Sequence, residues 1–441
     1  MSVHEFLDVL NQSIRQKDAN AFSQCFVFST SSAVNAKLSS KLPQDPKGKN
    51  KLKSEIQKNF GKIRGWKESV LSYLEFVDKA ALGEPISCWS SLQAVYVNLT
   101  TCFAHLDGAW LVPIIKSVSI FYVNLSIQLD RESPQDSGVL DTNGFLERNF
   151  ISEASRNVQR TFNIILSDRQ PNVSPSKKDA IFTISNLLYK LYFRLKQIRL
   201  CQTIQANVLS SGVSINQATS AEIVTFRYYL GRCHLFQHKI HQAETHLKSA
   251  FLSCPDEYYK QKRLILIYLT TCGLILGKSP RLQYLEKYSL IPMFQSLIVS
   301  MKKGDIHSFH LSLEDVSRRN WFIKHGIFLT LHDRCEIVIW RNLFRKVFFM
   351  TFQNAQKTPH VNGQFLLEAA LLSTQDQTFD IDDVECICVS LIDQGYIKGY
   401  MIHSSATLVL KKDTSFGFAP IESVMPVVGK DRNEEEFFQR N

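Results

Sequence analysis

Along most of this chain the apolar positions recur every three to four residues. The pattern changes to alternation only near the C-terminal end. Leu331–Phe352 carries Ile337, Val338, Phe344, Val347 and Phe348 on one helical stripe. Phe365–Leu372 reads as a short apolar helix, and Asp380–Gln394 as a third. That third helix opens with Asp380, Asp382, Asp383 and Glu385, acids that complement a helix N-terminus, and Gly395 stops it. Two strand-like runs follow, Tyr396–His403 and Thr407–Lys411, joined by Ser404-Ser405-Ala406. Helix, helix, helix, hairpin predicts a winged helix, a module that binds more often than it catalyses.

Upstream, residues 3–27 predict an amphipathic helical hairpin. Its stripes are Phe6, Leu7, Val9, Leu10 and Ile14, then Phe22, Cys25 and Phe26. Residues 29–50, rich in Ser, Lys, Pro and Gly, read as an exposed loop. Helices run on to about residue 300, with polar loops at 131–144 and 167–178, and strand signals are nearly absent before 396. The most apolar window, Leu111–Leu129, holds Lys116, Asn124 and several serines, so a buried helix pair is expected there rather than a membrane span. The N-terminus lacks a basic stretch followed by an apolar core and does not read as a secretory signal.

One repeat stands out. Leu230-Gly231-x-x-His234, then Ala243, Leu247, Ala250 and Pro255, match a tetratricopeptide-like helix pair. Gly231 and Ala243 permit close approach, Leu230, Leu247 and Phe251 fill the groove, and Pro255 ends the second helix. Leu188–Cys201 is a weaker copy. Stacked pairs of this kind form a solenoid.

The chemistry-bearing candidates mostly fail. Gly273-x-x-x-Gly277-Lys278-Ser279 has one residue too few between its glycines for a phosphate loop, and no strand precedes it. His234, His238, His241 and His246 read as a surface cluster, because a zinc site needs ligands that converge. The ten cysteines include no C-x-x-C pair and read as small buried hydrophobes in a reducing compartment. In Cys386-x-Cys388 the two thiols face different ways, with Cys386 assigned to the core. Nothing resembles a nucleophile elbow, kinase or zinc-hydrolase motif. The expectation is a protein without enzymatic activity, cofactor or metal.

Net charge is +10, which favours acidic partners: nucleic acid, or an acidic protein. Residues 47–67 hold eight Lys or Arg against one Glu, either a phosphate-binding run or a solvated helix face. A second basic set surrounds the winged helix: Arg318, Arg319, Arg341, Arg345, Lys346, Lys398, Lys411 and Lys412. These are the candidate nucleic-acid contacts, with Lys398 and the Lys411-Lys412 pair placed on the wing hairpin. The acidic start of the third helix would repel phosphates, so sequence-specific reading of a major groove is disfavoured.

Arg227-Tyr-Tyr-Leu-Gly-Arg232, Arg263–Leu269, Phe322–Phe328, Trp340–Val347, Asp380–Glu385 and Ile397-Lys-Gly-Tyr400 together resemble the PCI-domain proteins. The nearest branch holds PCI domain-containing protein 2 and the fungal signalosome-subunit-twelve-like proteins. The resemblance spans roughly 85–415 and implies a mainly α fold: a right-handed, tetratricopeptide-like helical-repeat solenoid followed by a C-terminal winged helix. The corresponding segments are 1–80 (helical hairpin with basic loop), 81–300 (solenoid), 301–330 (connecting helices), 331–412 (winged helix) and 413–441 (tail).

The same resemblance implies a subunit of the nuclear transcription-and-export complex two, located in the nucleus near the pore with some cytoplasmic pool. Its implied partners are a large PCI-containing scaffold, a small acidic disordered subunit of the Dss/Sem type, and RNA or double-stranded DNA bound weakly and without sequence preference. No membrane or small-molecule substrate is implied. A sister group associates with the COP signalosome or with splicing-linked complexes, which leaves a protein-interaction role without nucleic acid as the alternative. An acidic partner would suit Lys190, Arg194, Lys196 and Arg199, and Lys260, Lys262 and Arg263, two groups expected on adjacent repeat helices. Tyr396 and Tyr400 on the hairpin are the remaining candidate partner contacts.

Overall fold

Apolar periodicity becomes helix after helix in the computed structural model, which describes residues 3–29, 33–43, 45–61, 65–81, 85–132, 149–168, 176–352, 358–413 and 415–424. The expected polar loop at 131–144 beyond residue 132, the middle of the one at 167–178 (169–175) and the residues after 424 lie outside the described residues, and a 3-10 helix, Lys177–Ala180, begins where the second loop was expected to end. The chain divides into two units, 1–229 and 230–430, and the division falls inside the helix Ser220–Phe236.

In the first unit, Val3–Gln16 and Ala19–Cys25 form the expected hairpin. Asp18 caps the second helix by accepting from the Asn20 and Ala21 N–H groups. Beyond it the expected loop is wrong: Ala33–Ser39 and Pro46–Phe60 are helices. Asp45 caps the latter, with Pro46 in its first turn, and Leu38, Ile56 and Phe60 are buried. The lysines obscured a sparse apolar stripe that is sufficient to fix a helix.

Val112–Glu132 is one helix, not a pair. By length and composition alone it could cross a bilayer, but it packs against Pro85–Ala104, Asn149–Leu166 and Ile181–Arg194. Tyr122 stacks between Trp89 and Tyr96, with ring centroids 4.8 and 4.7 Å away. Leu188–Cys201, the weaker repeat copy, spans the packed helices Ile181–Arg194 and Ile198–Ser210.

The second unit begins with the repeat. A Cβ at Gly231 would lie 2.5 Å from Leu247 Cγ and 3.2 Å from the Ala243 carbonyl oxygen, so the close approach read from the sequence is present. The histidine cluster divides between core and surface. His234 and His246 are buried and stacked, with centroids 5.3 Å apart, because they lie where the helix pair faces itself. His238, in the turn at φ 59°, is exposed, and His241 is half-buried. The near-phosphate loop ends a helix, Tyr259–Ile275, and the Lys278 ammonium is held by Glu244 and Glu422 at 2.8 and 2.7 Å.

Ile291–Lys303, Ile306–Glu314 and Val316–His325 follow, each packed on the long helix Phe328–Thr351. The winged helix is then completed by strand β1 (His360–Asn362), helices Gly363–Thr374 and Ile381–Asp393, and strands β2 (Gly399–Ile402) and β3 (Thr407–Leu410). The sheet is antiparallel in the order β1-β3-β2, with Val409 opposite both His360 and Tyr400. The sequence reading missed β1, since three residues are too few to display a period of two. Nine of the ten cysteines are buried, but Cys386 is the exposed one. Cys388 instead joins Val384 and Leu391 on the core stripe, four and three residues away.

Candidate nucleic-acid and partner interface

The eight basic candidates of the second unit do not act together. Four of them lie close to the turn at Phe416-Gly417. The Phe416 ring packs on Phe348, Phe349 and Phe352, and the Arg345 guanidinium lies 4.7 Å from the Phe349 centroid. One residue on, the Gly417 carbonyl accepts from the Lys398 N–H at 2.7 Å, and the Lys398 carbonyl accepts from the Lys411 N–H at 2.8 Å. Arg345, Lys398, Lys411 and Lys412 therefore share one end of the sheet, all exposed. None of the four forms a salt bridge among the described residues. Asp413, beside them, is held below the usual carboxylate range by the Gly417 N–H, the Ser415 hydroxyl and Lys398.

This end is the base of the wing and not its blade, because β2 starts after Lys398 and β3 stops before Lys411. The tip carries His403, Ser404 and Ser405.

The other four candidates are placed differently. Arg341 is a correction: it is buried, and its guanidinium donates to the Phe418 and Ala419 carbonyls at 3.3 and 2.7 Å. Burial and the neighbouring Arg345 push it down to about 10, still charged at neutral pH, yet it has no access to a phosphate. Lys346 donates to the Lys303 carbonyl at 3.0 Å. Arg318 is engaged by Asp315 and Ser296, and Arg319 lies over the Phe328 ring. Phe328 opens the long helix, about 25 Å along its axis from Arg345 at 1.5 Å per residue.

The acidic-partner candidates also separate. Lys190, Arg194 and Lys196 belong to the first unit and Lys260, Lys262 and Arg263 to the second, with three helices between them in the chain, so they are not on adjacent helices. Lys262 is buried, pairing with Asp256 at 2.5 Å and donating to the Cys254 carbonyl at 2.7 Å. Arg263 donates to the Tyr288 carbonyl. Those two charges hold the fold together, and Lys260 alone of that group is exposed.

In the first group Lys190 is half-buried and donates to the Asn124 side-chain oxygen at 2.9 Å, Arg194 is half-buried, and Lys196 is exposed. Burial, Arg194 and Arg131 all lower the Lys190 pKa, which places three cations within mutual repulsion. Arg131 was missed because it sits where the sequence read as a loop; it is the last-turn cation of Val112–Glu132.

Tyr396, expected on the hairpin, precedes β2 and is buried, withdrawn from any partner, whereas Tyr400 on β2 is 60% exposed. Ile402, two residues on and 37% exposed, shares that outer face and was not singled out from the sequence.

The acids of Ile381–Asp393 have internal work. Asp380 and Asp383 form a capping box, each carboxylate accepting from the other's N–H at 3.0 and 3.1 Å. Glu385 meets the His403 ring at 2.7 Å, tying the wing tip to this helix, and that contact with its charge raises the His403 pKa above 6.5. The pair therefore contributes below pH 6.5 and is lost as pH rises through the raised value. An NMR titration is expected to give a His403 midpoint above 6.5 that returns to about 6.5 in Glu385→Gln; equal midpoints would rule out the tie.

Residues 313–412 match the family profile described as PCI domain. Over 441 residues, covering 100% of both chains, the sequence is 63% identical to a PCI domain-containing protein of Schizosaccharomyces pombe. It is 30% identical to a PCI domain-containing protein 2 homolog of Caenorhabditis briggsae, over 70% of this chain and 72% of that one. It is 28% identical to a protein CSN12 homolog of Neurospora crassa, over 80% of this chain and 84% of the relative.

Proposed function

The chain belongs to the PCI-domain family, in the branch of PCI domain-containing protein 2 and the CSN12 homologs, and from that membership we propose that it is a non-catalytic subunit of a nuclear complex coupling transcription to mRNA export. In this reading it binds a PCI-containing scaffold through the outer face of its wing sheet. It binds a small acidic subunit through the first unit and contacts RNA or DNA at the base of the wing.

The observation that carries the nucleic-acid part is the convergence of Arg345, Lys398, Lys411 and Lys412, exposed and, among the described residues, outside any salt bridge, with Asp413 the one carboxylate close enough to feel Lys398. Four cations against one nearby carboxylate leave a net positive end of the sheet that an anion would stabilise. Backbone phosphates suit that array, and the acidic helix beside the sheet argues against base reading.

Replacing Lys398, Lys411 and Lys412 together by glutamine in the assembled complex is expected to flatten the plot of log affinity against log salt. The change should be roughly 0.7–0.9 per contact, about 2–3 in total. An unchanged slope would exclude the base of the wing.

For the acidic partner, Lys190→Glu with Arg194→Glu is expected to weaken capture of a glutamate-rich disordered peptide by about tenfold or more at low salt. Lys260→Glu should leave it alone. Equal losses from both would refute the assignment to the first unit.

Likeness to a CSN12 homolog supports a second reading, a signalosome-associated interaction subunit with no nucleic acid. Purifying the chain from its own cells and identifying what accompanies it decides between them. Catalytic signalosome subunits without an export scaffold would favour the second.

A further inference from the structure

Two helices of the second unit each carry a histidine followed four residues later by a glutamate: His310 and Glu314 on Ile306–Glu314, His332 and Glu336 on Phe328–Thr351. That spacing puts both side chains of a pair on one helix face. The two helices pack against each other, and the pairs meet. The His310 and His332 ring centroids are 5.1 Å apart, and one ligand atom from each of His310, Glu314 and His332 lies within 4.8 Å of the others. The Glu336 carboxylate lies 3.6 Å from His310 Nε2.

We propose that His310, Glu314, His332 and Glu336 form a binding site for a divalent transition ion of the zinc type. Two imidazoles and two carboxylates suit a borderline cation and do not suit calcium or magnesium, which want an all-oxygen shell. A tetrahedral ion with bonds of about 2.0–2.2 Å holds its ligand atoms roughly 3.3 Å apart, so closure asks for about an ångström of side-chain torsion. The side chains are free enough to make it: His310 and His332 are half-buried and Glu314 is exposed.

Surrounding groups aim the ligands. Asp333 lies 3.0 Å from His332 Nδ1; a proton there, shared with the carboxylate, leaves the Nε2 lone pair for the ion. The Trp340 indole N–H donates to the other oxygen of Glu336 at 3.4 Å. A hollow of about 280 Å³, lined by Asp333, Glu336, Trp340 and Cys386 among others, opens beside the site and offers an entry path.

A second grouping of ligand types, His241, Glu244 and Glu422, shows what such a cluster looks like when it is not a metal site. There the Lys278 ammonium already bridges both glutamates. No Lys or Arg forms a salt bridge with Glu314 or Glu336 among the described residues. The bound ion would cross-link the long helix Phe328–Thr351 to the helix Ile306–Glu314.

The test uses the full chain, freed of metal by a chelator and titrated with cobalt(II) chloride. One equivalent should give the intense visible bands of a tetrahedral centre, and zinc chloride should bleach them. His332→Ala and Glu314→Gln should each weaken binding by about a hundredfold, and Asp333→Asn by about tenfold. Zinc should raise the unfolding temperature of the parent chain by several degrees and leave that of His332→Ala unmoved. If His332→Ala does not fold, the exposed Glu314→Gln carries the test. His241→Ala should change nothing. Absence of the tetrahedral bands would overturn the site, as would binding indifferent to His332 and Glu314 or lost in His241→Ala.

Discussion

Gly231→Val is expected to lower the unfolding temperature of the 230–430 unit by roughly 6–12 °C, the equivalent of about 3 kcal/mol for a unit of this size. The cause is local and severe. Even the first side-chain atom would stand 2.5 Å from Leu247 Cγ and 2.9 Å from its Cδ2, with the Ala243 carbonyl oxygen at 3.2 Å. Leu247 is fully buried and has nowhere to swing, and the carbonyl belongs to helix backbone. The two helices must separate, which opens the groove that Leu230 and Ala250 also fill. Gly212 supplies the contrast: at φ 74° with nothing within 4 Å, Gly212→Ala costs only the backbone conformation, about 1 kcal/mol. Circular-dichroism melts of both variants check the argument. A Gly231→Val melt within a degree or two of the parent would refute the close-packed pair.

Arg341→Ala is the second large effect, an expected loss of about 2–4 kcal/mol measured by urea unfolding. The guanidinium is the donor for two buried carbonyls, Phe418 and Ala419, and lies 5.8 Å from the Phe418 ring centroid. Alanine leaves both oxygens dry and the ring without its neighbour. Arg341→Lys should recover part of the loss, since one ammonium keeps the charge but cannot fork to two acceptors. Below the unfolding transition, the salt dependence of nucleic-acid binding by Arg341→Ala should match the parent, because this residue touches no phosphate. A flatter slope in that variant would return Arg341 to the binding surface and refute the structural role.

Much of the architecture was visible in the order of residues. The long helix, the acidic helix with its capping box, the hairpin and the Gly231 repeat are all local signals: a period of 3.6, a cap, a turn, a small residue at a fixed offset. Errors came where the signal was short or masked. Strand β1 has three residues, and its partner β3 lies more than forty positions away. The helix Pro46–Phe60 hides two buried apolar residues among lysines. Cys386 and Cys388 lie two residues apart on one helix, on roughly opposite faces, and only the packing decides which faces the core.

The candidate interface was legible as a list of charges and not as a surface. Arg341, Arg345 and Lys346 are neighbours on one helix, yet the first feeds two carbonyls, the second lies exposed over the Phe349 ring at the wing base, and the third closes on Lys303. Lys262 and Lys260 differ in the same way.

By itself the amino-acid order determined most of the strongly periodic and capped helices and the winged helix at 331–412, because periodicity and capping act over a few residues. Only the tertiary structure decided which cations reach solvent and which are spent inside. The partners that make the difference, such as the Ala419 carbonyl 78 residues from Arg341, meet their charge only after the chain has folded.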